Sequence, residues 1–381
     1  MTWRYAMAAL LIAASSASAQ WEPGFSGYVV TMPAYLRLNP DIAGSSGLDQ
    51  DQLANVTRLR LRPSLSLPWD ALLEIEYEMS GLVQSTDQPL LVESKDIGRQ
   101  VVDLRWTIAE SDHYAVIHFI DRLVYRQRMP VGELAIGRQR ISWGTGRIWN
   151  PTDLFNPINP VNFAKIEKDG ADAVSAKFFL GTLSDIQAVW NPAEDAPSNY
   201  GIRFRSHVET FDFSLLGGYF DSAPVAGFDL AGDLGESGVR TELLYSGLFT
   251  SDVQKYAKLI LGADHQFTSE LYALLEYHFN GSGTSDRNAY DIQGLFSGSV
   301  LNVARQYVAG MASYLVHPLV TVSLMGTVNL NDASQFYSTT ATYSAADELV
   351  LGAGIQFFAG EAGDEFWYYP FTTYLKLDFY F

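Results

Sequence analysis

Apolar and polar side chains alternate without a break at the end of this chain: Leu375, Leu377, Phe379 and Phe381 hold one parity, and Lys376, Asp378 and Tyr380 the other. A period of two puts successive side chains on opposite faces of an extended strand. One face here is apolar and aromatic, and the other carries charge. The pattern recurs upstream. Val320, Val322, Leu324, Val328 and Leu330 alternate with Thr321, Ser323, Thr327 and Asn329, and Leu271, Ala273, Leu275, Tyr277 and Phe279 alternate with Glu270, Tyr272, Glu276 and His278. Nineteen such segments are legible, from 25–38 to 372–381, with turn-rich gaps between them.

This repeated alternation also explains the composition. Aromatic residues make up 13% of the chain and charged residues 18%, against about 25% charged in ordinary soluble domains. Past residue 19 no apolar run approaches the ~20 residues of a spanning helix. A transmembrane barrel needs no such run. Its strands of ~9–11 residues spread the lipid-facing surface over alternate positions and gather aromatics at the two interfaces. The closing strand, with Phe381, Phe379 and Leu377, resembles the last strand of Gram-negative outer-membrane β-barrels, where such residues form the assembly signal. The resemblance implies an all-β fold, a transmembrane antiparallel β-barrel in the cell outer membrane. Its implied partners are the barrel-assembly machinery, outer-membrane lipid and lipopolysaccharide, and it leaves an oligomer such as a trimer open. Bacterial single-chain barrels carry an even number of strands. Eighteen are therefore expected, with sixteen as the fallback. The Gly- and Asp-rich segment 225–233 and the Thr- and Ser-rich segment 335–344 are the weakest of the nineteen. Short turns such as Phe267-Thr268-Ser269 and His317-Pro318 point to the periplasmic end, and the longer stretches 39–54, 281–303 and 359–371 to the extracellular one.

Residues 1–19 have the marks of a secretory signal peptide: Arg4, an apolar stretch from Ala6 to Ala14, and Ala17-Ser18-Ala19 before Gln20. Cleavage after Ala19 would leave 20–381 as one barrel domain. The chain has no cysteine, so disulfides and thiolate metal sites are excluded. A net charge of −18 argues against nucleic acid as a partner.

The charges are themselves periodic. In segments 55–67 and 70–81, Arg58, Arg60, Arg62, Glu74, Glu76 and Glu78 all sit at even positions. With an odd number of residues in the turn, the arginine row faces the glutamate row, each pair contributing about 0.2–1 kcal/mol. An arginine facing lipid at the midplane would cost roughly 2–4 kcal/mol. The charged face is therefore expected to line a wet lumen, with Arg105 following the same logic beside Leu104 and Trp106. Such rows either knit the wall together or set a field across a pore, and the two roles are compatible.

Residues 144–170 break the pattern. Pro151, Pro157 and Pro160 exclude a central strand or a helix interior. Asn150, Asn156 and Asn159 each precede a proline and favour turns. Yet Trp143, Ile148, Trp149, Leu154, Phe155, Ile158 and Phe163 are too many apolar side chains for a solvated loop. Long loops without secondary structure of their own are usually functional. The expectation is an inward-folded long loop, packed on the inner wall and narrowing the lumen, with Arg138, Arg140, Arg147, Asp153, Lys165 and Lys168 at the constriction. A purely structural cap is the alternative. The run Gly137-Arg138-Gln139, Ile141, Trp143-Gly144, Gly146 and Asn150-Pro151-x-Asp153 resembles a segment of uncharacterised porin-like outer-membrane proteins of proteobacteria. That resemblance implies the barrel and brings no ligand with it.

Catalytic chemistry has no foothold. The six histidines, 113, 118, 207, 265, 278 and 317, show no two-ligand metal spacing. No Gly-x-Ser-x-Gly elbow or phosphate-cradling glycine loop occurs. Asp264 with His265, and His118 with Asp121, are neighbouring titratable pairs. No catalytic residue, metal or cofactor is expected, and the chain is not read as an enzyme. The expected function is passive diffusion of small solutes through a charged aqueous lumen. The alternatives are a structural or secretion barrel sheathing a partner, such as a multihaem electron conduit or an exported polymer, and a channel for hydrophobic substrates.

Overall fold

The computed structural model describes residues 21–87, 99–156, 167–194, 197–251 and 253–381. The expected signal peptide and Lys165 lie outside the described residues. The strands are β1 (Glu22–Arg37), β2 (Asp51–Leu67), β3 (Ala71–Gln84), β4 (Arg105–Ser111), β5 (Tyr114–Met129), β6 (Gly132–Gln139), β7 (Ala171–Phe179), β8 (Asp185–Asn191), β9 (Asn199–Val208) and β10 (Phe211–Phe220). They continue with β11 (Ala223–Leu234), β12 (Ser237–Ser246), β13 (Tyr256–Gln266), β14 (Leu271–Asn280), β15 (Gln306–His317), β16 (Val320–Asn329), β17 (Gln335–Ala346), β18 (Leu349–Ala359) and β19 (Phe371–Tyr380). All are paired antiparallel in one sheet, and β1 pairs with β19 to close it. Closure leaves no edge strand, which is what lets a sheet stand in lipid. Two short helices, α1 (Pro40–Ser46) and α2 (Ile292–Ser297), sit in the long connections at one end.

Nineteen strand segments form eighteen staves. β3 occupies one edge of β5, from Ala71↔Gln127 to Val83↔Tyr114. The other edge of β5 is shared: β4 pairs with Tyr114 to Phe119, and β6 with Leu123 to Met129. β4 and β6 therefore stand end to end in one stave. Both weak segments are real strands, within β11 and β17. Boundaries differ from expectation where the chain leaves the wall early. The expected strand 131–143 stops at Gln139, so the irregular segment begins at residue 140 rather than 144, and most of 39–54 is helix and β2. The turns after Gln266 and His317 lie at the same end as Phe381, and the connections 281–305 and 360–370 lie at the other.

Even-numbered residues of β1, β2, β3 and β19 face inward. Tyr28, Met32, Leu36, Arg60, Glu78 and Asp378 are buried, whereas Leu375, Phe379 and Phe381 are exposed on the outer surface. Phe381 seals the closing seam. Its backbone N–H donates to the Gly27 carbonyl, its carbonyl accepts from Gly27 N–H, and its ring packs on Phe25. One irregularity breaks the parity. Glu76 pairs with Arg122 but Tyr77 pairs with Ile120, leaving Asp121 as an extra residue. A bulge of this kind sets two residues against one. It turns both Asp121 and Arg122 toward the lumen.

Candidate functional site

The turn from β2 to β3 has three residues, Pro68 to Asp70, so the charged rows register across the hairpin. Arg60 faces Glu78 directly, Arg58 faces Ser80 and Glu74 faces Ser64. The rows are thus offset by one step and interlock. Arg60 Nη1 lies 2.7 Å from Glu78, its Nε 3.0 Å from Glu76, and its Nη2 also reaches Asp121. Arg62 bridges to Glu167, Arg122 to Glu76 at 3.2 Å, and Arg126 to Glu74 at 2.6 Å and Glu133 at 3.2 Å. The carboxylates of Glu76, Asp121 and Glu167 come within 4.8 Å of one another, as a cation site would require. The guanidinium groups of Arg60, Arg62 and Arg122 supply that positive charge. Exposure varies widely within the ladder, from an Arg60 side chain 2% exposed to an Arg128 side chain 71% exposed.

Residues 140–156 turn inward from β6 and cross the barrel. Glu242 on β12 accepts hydrogen bonds from the backbone N–H of Thr145, Gly146 and Thr152 at 2.5–2.9 Å, and from the Thr152 hydroxyl. Glu276 on β14 accepts from the N–H of Arg147, Ile148 and Trp149 at 2.7–3.3 Å. Counting staves from β6 through β7 to β14 gives eight steps, against nine for a diametrically opposite position. The loop thus spans nearly the full lumen. Both carboxylates are buried, at 0% and 1% exposure, and hydrogen bonds to charged groups are worth about 1.5–3 kcal/mol each. The backbone geometry is specific. Gly144 has φ +85°, and a Cβ there would fall 2.6 Å from Glu242 Oε1. Apolar residues complete the seating. Trp143 and Phe155 pack on Phe220 and Leu216, while Trp149 stacks on His278 at 5.2 Å beside Tyr307.

The other expected site residues separate into lumen and wall. Arg140 and Arg147 are exposed on the loop. Asp153 is buried in an ion pair with Lys168, and burial raises its carboxyl above the usual range although Lys168 pulls the other way. Arg105 is exposed, its guanidinium 5.3 Å from the centre of the Phe119 ring. Arg138 is not in the lumen. It pairs across the ladder with Asp172 and shares the parity of outward-facing Ile136. Its Nε and Nη2 reach Asp172 at 2.8 and 3.0 Å, and it donates to the carbonyls of Ile120 and Val102. Asp172 also accepts from Val101 and Val102 N–H. This clasp ties residues 99–102 to the wall where β6 ends at Gln139 and β7 begins at Ala171. The neighbouring titratable pairs are split as well. Asp264 meets Arg240, while His265 meets Ser237 and Phe267; Asp121 meets Arg60, while His118 lies against Trp106 and Tyr77.

Sequence reading assigns no anchoring role to Glu242, Glu276 or a third buried acid, Glu365. Glu365 lies in the connection after β18 and accepts from Tyr307 Oη at 2.7 Å and Asn329 Nδ2 at 2.8 Å. Its N–H donates to Asp332. Burial, with Asp332 nearby, raises its carboxyl from 4.5 to about 8. Phe366 packs with Phe336 and Phe358, so this connection also folds into the mouth of the barrel.

No protein-family model and no characterised sequence matches the chain. Among solved structures, OccAB4 of Acinetobacter baumannii is similar with a TM-score of 0.60 at 7% identity, covering 96% of this chain and 99% of that one. OccD3 (OpdP) of Pseudomonas aeruginosa gives 0.54 at 10% identity, covering 94% and 91%. A variant of the Rh. blastica porin gives 0.47 at 11% identity, covering 94% and 100%. At these identities the likeness is one of fold, and the chain folds as a porin-like closed barrel of eighteen staves.

Proposed function

We propose that this protein is a passive outer-membrane channel for small solutes, with the 140–156 loop as a fixed partition that narrows the lumen. The observation that carries the reading is the seating of that loop. It crosses almost the whole lumen onto Glu242 and Glu276, fills the β7–β12 side with Trp143 and Phe155, and leaves the charged ladder of β2, β3 and β5 on the other side. A lumen lined by Arg62, Glu74, Arg126 and Arg128 stays wet, because desolvating such charges is costly. A barrel built to sheath a partner needs a lumen clear of its own chain, and the inward packing of residues 141–155 argues against that reading. The test is planar-bilayer recording on the purified barrel, wild type and a deletion of residues 150–159. Discrete steps that grow in the deletion are expected; no current at any voltage would sink the proposal.

A further inference from the structure

Among the described residues, the ion-paired charges of the ladder balance. On β2, β3, β5 and β6, with Glu167 from the inward segment, stand six cations, Arg58, Arg60, Arg62, Arg122, Arg126 and Arg128. Opposite them stand six anions, Glu74, Glu76, Glu78, Asp121, Glu133 and Glu167. Every one of the twelve forms an ion pair within this set. The chain as a whole carries −18, so its acid excess lies outside the ladder. The pairs succeed one another along the lumen: Arg128 with Glu133 at one mouth, then Arg126 with Glu74, then Arg62 with Glu167, then the buried Arg60 group. The first three pairs are partly exposed, with Arg62 at 35%, Glu74 at 38% and Arg126 at 24%.

The arc of β15 to β18, which reaches the ladder through β19 and β1, is different in kind. The inward positions of β15 to β18 hold hydroxyl, thioether and amide groups and no formal charge among the described residues. Ser313 bonds Ser323 at 3.1 Å, Thr340 bonds the Tyr374 hydroxyl at 3.1 Å, and Met311 faces Met325 two residues along from the serine pair. A free anion or cation near the ladder meets attraction and repulsion in equal number, so the ladder has little net field at a distance. A solute carrying both signs a few ångströms apart can exchange its own two charges with each successive pair.

We infer that the channel takes small zwitterions, solutes with an ammonium and a carboxylate in one molecule, in preference to ions of a single sign. The inference rests on the channel reading above and names the solute class for it. The experiment is swelling of proteoliposomes in 4-aminobutyrate, 4-hydroxybutyrate and 4-hydroxybutyramide, which share size and differ in charge. Uptake of the zwitterion about threefold faster than either analogue is expected, with a potassium-to-chloride permeability ratio within about threefold of one. A zwitterion rate no greater than that of either analogue, or a ratio beyond that range, overturns the inference. Two variants read the balance from opposite sides. Glu74→Gln/Glu133→Gln leaves Arg126 and Arg128 in excess and should shift selectivity toward anions. Arg126→Gln/Arg128→Gln should shift it toward cations. Folding of each is checked by heat-dependent electrophoretic mobility, and either one alone decides the sign. No shift, or a shift of the wrong sign, overturns the inference. No uptake and no current with any solute removes the channel itself.

Discussion

Arg60 and Arg128 belong to one ionic ladder and have opposite physical weight. The Arg60 side chain, 2% exposed, touches Glu76, Glu78 and Asp121. Replacing it with methionine leaves Glu76, Glu78 and Asp121 with their longer contacts to Arg58, Arg62 and Arg122, and breaking a buried pair in this way costs about 3–5 kcal/mol. Urea unfolding of Arg60→Met in lipid vesicles should show that loss. Arg128→Gln, at a side chain 71% exposed, should stay within about 0.5 kcal/mol of wild type. A similar loss in both variants would mean that burial does not grade the ladder. Gly144 makes the same point for the backbone. With φ at +85° and Glu242 Oε1 only 2.6 Å from where a Cβ would sit, the position has no room for alanine. Gly144→Ala should loosen the loop and raise single-channel conductance. The arginine and glutamate rows were legible from parity alone. The exceptions were Asp121, which a bulge turns inward, and Arg138, whose side chain shares the outward parity beneath residues 99–102.

At the scale of elements, two connections decide what the lumen holds. The 140–156 loop depends on Glu242 and Glu276, which together accept six backbone N–H groups and one hydroxyl. Glu242→Gln/Glu276→Gln keeps the shape and removes the charge, weakening bonds worth about 1.5–3 kcal/mol each in the charged form. Limited proteolysis should then cut between residues 142 and 155, where wild type resists. The 360–370 connection depends on Glu365. Its folded carboxyl titrates near 8 against 4.5 in the ordinary state, so the proton favours the docked form. A raised acid contributes its stability fully below the ordinary value and loses it as pH climbs through the folded one. Protection of the Phe366 to Tyr369 amides, corrected for the intrinsic pH dependence of exchange, should therefore fall between pH 5 and pH 8, and Glu365→Gln should flatten that fall. Corrected protection that rises over this range would contradict a protonated Glu365. Periodicity marks Glu242 as an inward charge alternating with Val239 and Leu243, but gives none of these three acids an anchoring role. Glu276 was visible only as one polar member of an alternating strand, because its role depends on a loop more than a hundred residues away in the chain.

For the whole molecule, the closing strand supplies the cleanest test of orientation. Leu377 faces out and Lys376 faces the lumen, where its Nζ lies 3.0 Å from Asp378. Leu377→Arg should cost roughly 2–4 kcal/mol in vesicle folding, as expected for a basic side chain at mid-bilayer depth. Lys376→Gln should cost far less, and equal costs would contradict the assigned faces. Strand existence, inward and outward parity and the barrel class follow from a period of two, which is a local property and survives in one dimension. The odd strand count was legible too, but its meaning was not. Two segments share the same edge of β5, and only the paired ladder reveals that. Amino-acid order by itself thus determined a β-barrel with charge inside, apolar surface outside and one long irregular segment. Tertiary structure alone decided which carboxylates seat that segment, that the ladder balances to zero, and that Arg138 serves the wall. These depend on contacts between residues far apart in the chain, and strand periodicity carries no information about distance across a barrel.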